Sequence, residues 1–189
     1  MLNFKKDESS FKVVTKFFDP KTMTSNFSIY IKNKFLSYND YKTKCAVGKR
    51  GIGKKKREGD LITPKGTFKI KKVYYRKDRI KNLITKIKKI AIKKDMGWCD
   101  DPKSNKYNKS VKFPFKYKSE KLFRSDNIYD IILVLDFNMS PTIKNKGSAI
   151  FIHVAKNDLR PTKGCIAIKK RELKKILKFF TTRTKIVIS

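Results

Sequence analysis

A thiol becomes a strong nucleophile when a neighbouring group holds its proton or stabilises its anion. This chain has a single histidine, His153, and Cys165 follows twelve residues later in the run Thr162-Lys163-Gly164-Cys165. Both lie on short apolar runs, residues 149–153 and 165–168, that predict strands. Neighbouring strand ends would bring thiol and imidazole within hydrogen-bonding reach. The chemistry this pattern predicts is that of a cysteine–histidine enzyme, with Cys165 as nucleophile and His153 as base. A thiol activated in this way is expected to have a lowered pKa and to outreact Cys45 and Cys99 at mildly acidic pH. Those two cysteines lack the Thr-Lys-Gly setting and read as small buried hydrophobes. An odd number of cysteines without close spacing argues against a disulfide framework. One histidine and no Cys-x-x-Cys argue against structural zinc, so neither a metal nor a cofactor is expected.

Strands must position this pair, and strand signals dominate the chain. Runs at 11–18, 27–38, 42–48, 66–75, 129–137, 148–154, 165–168 and 184–188 are apolar, β-branched or alternating. Asn33-Lys34 predicts a hairpin turn inside the second run, and 129–137, the most apolar, predicts a central strand. One segment reads as helix: residues 171–180, with Leu173, Ile176, Leu177 and Phe180 on one face. Residues 79–94 carry isoleucines at mixed spacing and fit helix or strand. Residues 96–117, rich in Asp, Pro, Asn and Ser, read as a long ordered loop. No repeat or linker divides the chain. The expected architecture is mainly β, one domain over residues 1–189, a sandwich or partial barrel with one or two short helices.

The charge points less clearly. The net charge of +33 comes from 41 Lys and 8 Arg against 16 acidic residues. The lysines are dispersed, with short clusters such as Lys54-Lys55-Lys56, and arginine is the better reader of phosphates and base edges. Specific nucleic-acid recognition is therefore not expected; a polyanionic cell-wall surface is a better match. No apolar run is long enough for a transmembrane helix, and the first ten residues lack a signal-peptide core.

Two stretches carry a family resemblance. The first is Lys56-Arg57-Glu58-Gly59-Asp60-Leu61-Ile62-Thr63-Pro64-Lys65-Gly66-Thr67-Phe68; the second is His153 followed by Arg160-Pro161-Thr162-Lys163-Gly164-Cys165. Together they resemble the L,D-transpeptidase catalytic domain of the YkuD type. Gly97-Trp98-Cys99-Asp100-Asp101-Pro102 and Tyr107-Asn108 resemble a signal-less branch of it. The resemblance spans roughly residues 28–189. It implies acyl transfer on peptidoglycan stem peptides through a Cys165 thioester. His153 would shuttle the proton and the Val154 carbonyl would orient its ring. The Cys165 N–H, with that of Gly164, would bind the oxyanion. It also implies a periplasmic or cell-wall location, with the cytoplasm as the alternative because the sequence as given shows no signal peptide.

Several positions depart from the family pattern. Lys163 stands where histidine is common, Ala167 where arginine is common, and Val154 where glycine is usual; the His-to-Cys interval is also short. These changes bear on substrate choice more than on the nucleophile. Arg160 is the candidate replacement for gripping a substrate carboxylate, because its planar fork suits that task. Thr162, Arg57, Asp60 and Trp98 complete the candidate substrate-binding set. Arg57 with Asp60 equally fits a surface ion pair in a turn, and Trp98 equally fits a core anchor. A hydrolase of the same fold and a basic binding module remain alternatives.

Overall fold

The computed structural model describes residues 28–156 and 158–189; the strand expected over 11–18 lies outside them. Strands β1 (Ser28–Lys32) and β2 (Phe35–Tyr38) are joined through Asn33 and Lys34 at φ of 49° and 60°. Two consecutive left-handed residues make the tight turn whose twist matches antiparallel strands. A second two-residue turn, with Asn39 at φ 50°, leads into β3 (Tyr41–Ala46). Then come the short parallel pair β4 (Ile52–Gly53) and β5 (Thr63–Pro64), the long β6 (Gly66–Tyr75), and β7 (Lys89–Ala91). Strands β8 (Met96–Cys99), β9 (Ser110–Lys112) and β10 (Ser119–Lys121) form a separate antiparallel sheet in the order β10-β8-β9. The chain ends with β11 (Ile131–Leu135), β12 (Phe151–Val154), β13 (Ile166–Ile168), helix α1 (Lys170–Leu177) and β14 (Lys185–Ile188).

The strands run β11-β12-β13-β3-β2-β1-β14-β6, and β6 pairs back onto β11, so the sheet closes into an eight-stranded barrel. β7 adds beside β6. The barrel is mixed: β12–β13 and β1–β14 are parallel and the other six wall pairings antiparallel. Closure removes open edges, and eight strands enclose a space that side chains fill. Ile31, Leu36, Val73, Leu133, Ile152, Ile166 and Ile186 fill it here. Helix α1 adds Leu173, Ile176 and Leu177 to the same core; Phe180 beyond it meets the edge of Tyr38 at 5.9 Å.

A second core lies outside the wall. Strand β11 is buried on both faces, with Ile131, Leu133 and Leu135 in the barrel and Ile132 and Val134 outside it. Double burial explains why this run is apolar without alternation. The outer core gathers Trp98, Leu122, Tyr129 and Phe151 under the β8–β10 sheet. That sheet corrects the expectation of a plain loop over 96–117. The Asp-, Asn- and Ser-rich stretch is only the β8–β9 connection, while Trp98 and Val111 are buried strand residues. Residues 79–94 contain β7 and no helix; Ile80, Leu83 and Ile87 reach the barrel core from irregular backbone.

Leu133→Ala is expected to cost about 2–5 kcal/mol, because a large side chain leaves a closed interior. Ile84→Ala, at a side chain 70% exposed, should stay within about 0.5 kcal/mol. Urea unfolding midpoints measure both.

Candidate active site

The β12–β13 ladder sets Ile152 beside Ile166 and His153 beside Ala167 in parallel register. Continuing by one residue sets Phe151 beside Cys165. Strand side chains alternate, so Ile152, Val154, Ile166 and Ile168 point into the barrel. His153 and Cys165 therefore share the outer face on diagonal positions, and Cys165 packs against the outer core. Sequence reasoning paired these two, and the register is the reason they lie on one face of the wall.

The histidine is held in one tautomer. Its Nδ1 lies 2.9 Å from the Val154 carbonyl oxygen, which can only accept, so Nδ1 carries the proton and Nε2 keeps its lone pair. Burial lowers the imidazole pKa to about 4, against the opposing pull of the Val154 carbonyl. Burial also pushes the Cys165 thiol up to about 12, and the negative charge of Glu120 adds to the rise. The thiol donates to the Ala149 carbonyl at 3.0 Å. The resting pair is thus thiol and neutral imidazole. This corrects the expectation of a low-pKa thiolate: the apolar outer core that shelters the pair also disfavours both charges. Cys45 is raised to about 12 by burial as well, so pKa does not separate the two thiols.

Two threonine hydroxyls clasp the nucleophile's peptide. Thr162 Oγ1 donates to the Cys165 carbonyl at 2.6 Å and accepts from the Gly164 N–H at 3.0 Å. Thr63 Oγ1 donates to the Gly164 carbonyl at 2.9 Å and accepts from the Gly48 N–H at 2.7 Å. The two sequence stretches are therefore hydrogen-bonded to each other. Thr162 holds the backbone on either side of Cys165, with its hydroxyl both donating and accepting. The Gly164 N–H is likewise engaged, by the Thr162 hydroxyl. Gly164 itself sits at φ +134°, where a Cβ would lie 3.0 Å from the Ile62 carbonyl oxygen.

Behind Gly164 lies a buried ion pair. Lys55 Nζ meets Asp60 Oδ1 at 2.6 Å with both side chains 3% exposed, and also donates to the Ile62 carbonyl at 3.3 Å. Asp60 further accepts from the backbone N–H groups of Lys56, Arg57 and Ile62. Burial alone would raise its carboxyl; the Lys55 ammonium and the three amides outweigh it and bring the pKa down to about 2. Asp60 thus shapes the loop beneath the nucleophile. Arg57 contributes its amide, with its side chain exposed, so of the two readings the surface ion pair between Arg57 and Asp60 side chains is not the one found.

Asn108 is a further organiser. Its Oδ1 accepts from Trp98 Nε1 and the Ala149 N–H, both at 3.1 Å, and its Nδ2 donates to the carbonyls of Phe137 and Asn138. Ala149 holds φ +50°, a strained conformation for a residue with a Cβ, and its carbonyl faces the Cys165 thiol. Trp98 is 2% exposed and meets Phe151 edge-on at 5.2 Å, so it acts chiefly as an anchor of the outer core. It also floors a groove of about 580 Å³ rimmed by Lys71, Lys72, Lys106 and Lys109, whose lining includes neither Cys165 nor His153. Arg160 is exposed and its Nε pairs with Asp158. Cys45 and Cys99 are buried and unpaired. Among the described residues no group of three or more His, Cys, Asp or Glu could hold a metal ion.

Tyr129, Glu120, Arg124 and Lys55 escaped sequence reasoning. Tyr129 stands edge-on to His153 at 5.6 Å, and its hydroxyl donates to Glu120 Oε1 at 2.6 Å. Arg124 lies 5.3 Å from the centre of the Tyr129 ring and forks onto Asp126. No motif marks these residues; Glu120 sits in a three-residue strand, and Lys55 is one of three adjacent lysines.

Asp60→Asn should destabilise the fold by about 3–5 kcal/mol, since it leaves the Lys55 ammonium buried without its counter-charge. The stability Asp60 supplies is present above its unfolded pKa of about 4 and lost as pH falls through about 2. Thermal melts of both proteins across that range should converge at the acid end.

Comparison with known protein families matches residues 24–188 to the YkuD family, described as the L,D-transpeptidase catalytic domain. Comparison with curated proteins finds no match. The match covers nearly the whole chain, the free Cys165 stands beside the lone histidine on the outer barrel wall, and the chain belongs to the YkuD family of L,D-transpeptidase catalytic domains, as an enzyme of that family.

Proposed function

We propose that Cys165 attacks the carbonyl joining an L-centre to a D-residue in a peptidoglycan stem peptide, with His153 as the base. The observation that carries this reading is their shared outer face, with His153 Nε2 left as the free acceptor. Nε2 takes the thiol proton as sulfur bonds to carbon. Because burial disfavours both charges at rest, proton transfer and C–S bond formation run together. The Cys165 N–H stabilises the oxyanion. The imidazolium returns its proton to the departing amine, D-alanine, and a thioester remains. The amine of a second stem then attacks the thioester, forming the cross-link and freeing the thiol.

Arg160 supports substrate binding in this reading, because only its Nε is used by Asp158 and the terminal nitrogens can fork onto a carboxylate. The lysine-rimmed groove beside Trp98 supports contact with a polyanionic wall polymer. A peptidoglycan substrate supports a site of action in the periplasm or cell wall. No helix among the described residues is long and apolar enough to cross a membrane.

Cys165→Ala should abolish turnover of stem tetrapeptides and the covalent adduct with a carbapenem, both read by mass spectrometry; Cys45→Ala and Cys99→Ala should retain both. Retained turnover in Cys165→Ala would sink the mechanism. His153→Ala should slow acylation by about two to four orders of magnitude.

The pH profile tests the neutral pair separately. Wild-type acylation should persist at mildly acidic pH and decline only as pH drops through about 4, where His153 takes a proton. A decline centred near the ordinary histidine value of about 6.5 would contradict it.

A further inference from the structure

The transfer half of the reaction needs an amine that arrives as an ammonium and attacks as a free base. Glu120 is built to receive one. Its Oε1 accepts from the Tyr129 hydroxyl at 2.6 Å, while Oε2 has no hydrogen-bond partner and the carboxylate no ion pair among the described residues. Of the two cations whose charge reaches Glu120, Arg124 forks onto Asp126 at 2.9 and 2.7 Å, and Lys163 forms no ion pair with the carboxylate. Tyr129 links this carboxylate to the reacting groups. Its ring stands edge-on to His153 at 5.6 Å and to Phe151 at 6.3 Å, and Phe151 flanks Cys165. The Glu120 charge is felt at the Cys165 thiol. Burial raises the Glu120 carboxyl, which makes it a better proton acceptor than an exposed carboxylate. On a surface of net charge +33, a half-buried carboxylate without an ion pair is also a local attractor for a cation that the lysines would repel.

We propose that Glu120 is the acceptor-side catalytic residue, binding the ammonium of the incoming amine through Oε2 and removing one of its protons. The proposal rests on the transpeptidase reading above. One proton passes from the ammonium to Glu120, and the freed nitrogen lone pair attacks the thioester carbonyl. As the intermediate collapses the C–S bond breaks and an amide forms. His153 takes the second nitrogen proton and hands it to the departing sulfur, restoring the thiol. Glu120 then releases its proton to solvent. Tyr129 is the positioning residue, because its hydroxyl engages Oε1 and leaves Oε2 toward the acceptor.

The test uses the full chain, a stem tetrapeptide ending in D-alanine as donor, and two acceptors. Glycinamide is largely cationic at neutral pH, and hydroxylamine is uncharged. Glu120→Gln should lose about 10²-fold in transfer to glycinamide. Transfer to hydroxylamine should fall by less than about threefold, because that amine needs neither a counter-charge nor deprotonation before attack. Carbapenem acylation should be at least as fast as wild type, since a negative charge near the thiol is gone; it also reports that the variant folds. Tyr129→Phe, which keeps the ring packing, should give a smaller loss with the same preference and serves if Glu120→Gln fails to fold. Equal losses with both amines, or no loss with glycinamide, would overturn the role of Glu120. Wild-type enzyme that acylates and yields only free acid in the presence of either amine would instead refute the transpeptidase reading itself.

Discussion

The side-chain alternation of β12 and β13 is the constraint on which the rest of the site depends. Closure of an eight-stranded barrel requires every second wall residue to fill the interior. Ile152, Val154, Ile166 and Ile168 meet that requirement. His153 and Cys165 are thereby forced outward, onto a face that a small barrel would leave to water. The β8–β10 sheet and the loops around it cover that face. The proposed reacting pair thus lies between two cores, the second covering side chains that the first directs away from itself.

Cover has an electrostatic consequence. An apolar roof raises the cost of charge, so thiol and imidazole rest neutral. A nucleophile kept neutral at rest must be held in place by other means. Hydrogen bonds do this: Thr63 and Thr162 on the Gly164–Cys165 peptide, Asn108 on the Ala149 turn, and Val154 on the imidazole. Buried backbone groups of the nucleophile loop are satisfied by side chains where ladder bonding ends. The Lys55–Asp60 pair follows the same logic one layer further out. Two buried charges persist because each has the other and Asp60 also gathers three amides.

Two left-handed backbone positions lie in this neighbourhood. Ala149 at φ +50° and Gly164 at φ +134° flank the thiol from two chain segments. Each is over-determined by its neighbours, Ala149 by Asn108 and Gly164 by the close approach of the Ile62 carbonyl. Glycine is required at 164 for space and conformation together; at 149 the backbone N–H donates to Oδ1 of the distant Asn108, which holds the positive φ without a glycine.

Much of the molecule was legible in its residues. Alternation and turn chemistry located the first hairpin at Asn33-Lys34 and the long strand 66–75, because period-two patterns and left-handed turn residues are local properties. A single histidine and a cysteine preceded by Thr-Lys-Gly marked out the proposed reacting pair, since few other residues could perform that chemistry. The tertiary structure decided the rest. It closed the barrel, raised two strands from a segment that reads as loop, and buried Trp98 as an anchor. It chose Lys55 from 41 lysines as the partner of Asp60, engaged the Thr162 hydroxyl with backbone, and set Tyr129 beside the imidazole with Glu120 on its hydroxyl. It also reversed the expected ionisation of the thiol. The physical reason is common to all of these: burial, protonation and pairing are set by neighbours brought together across the fold, and a residue's type and sequence position do not state which neighbours it will have.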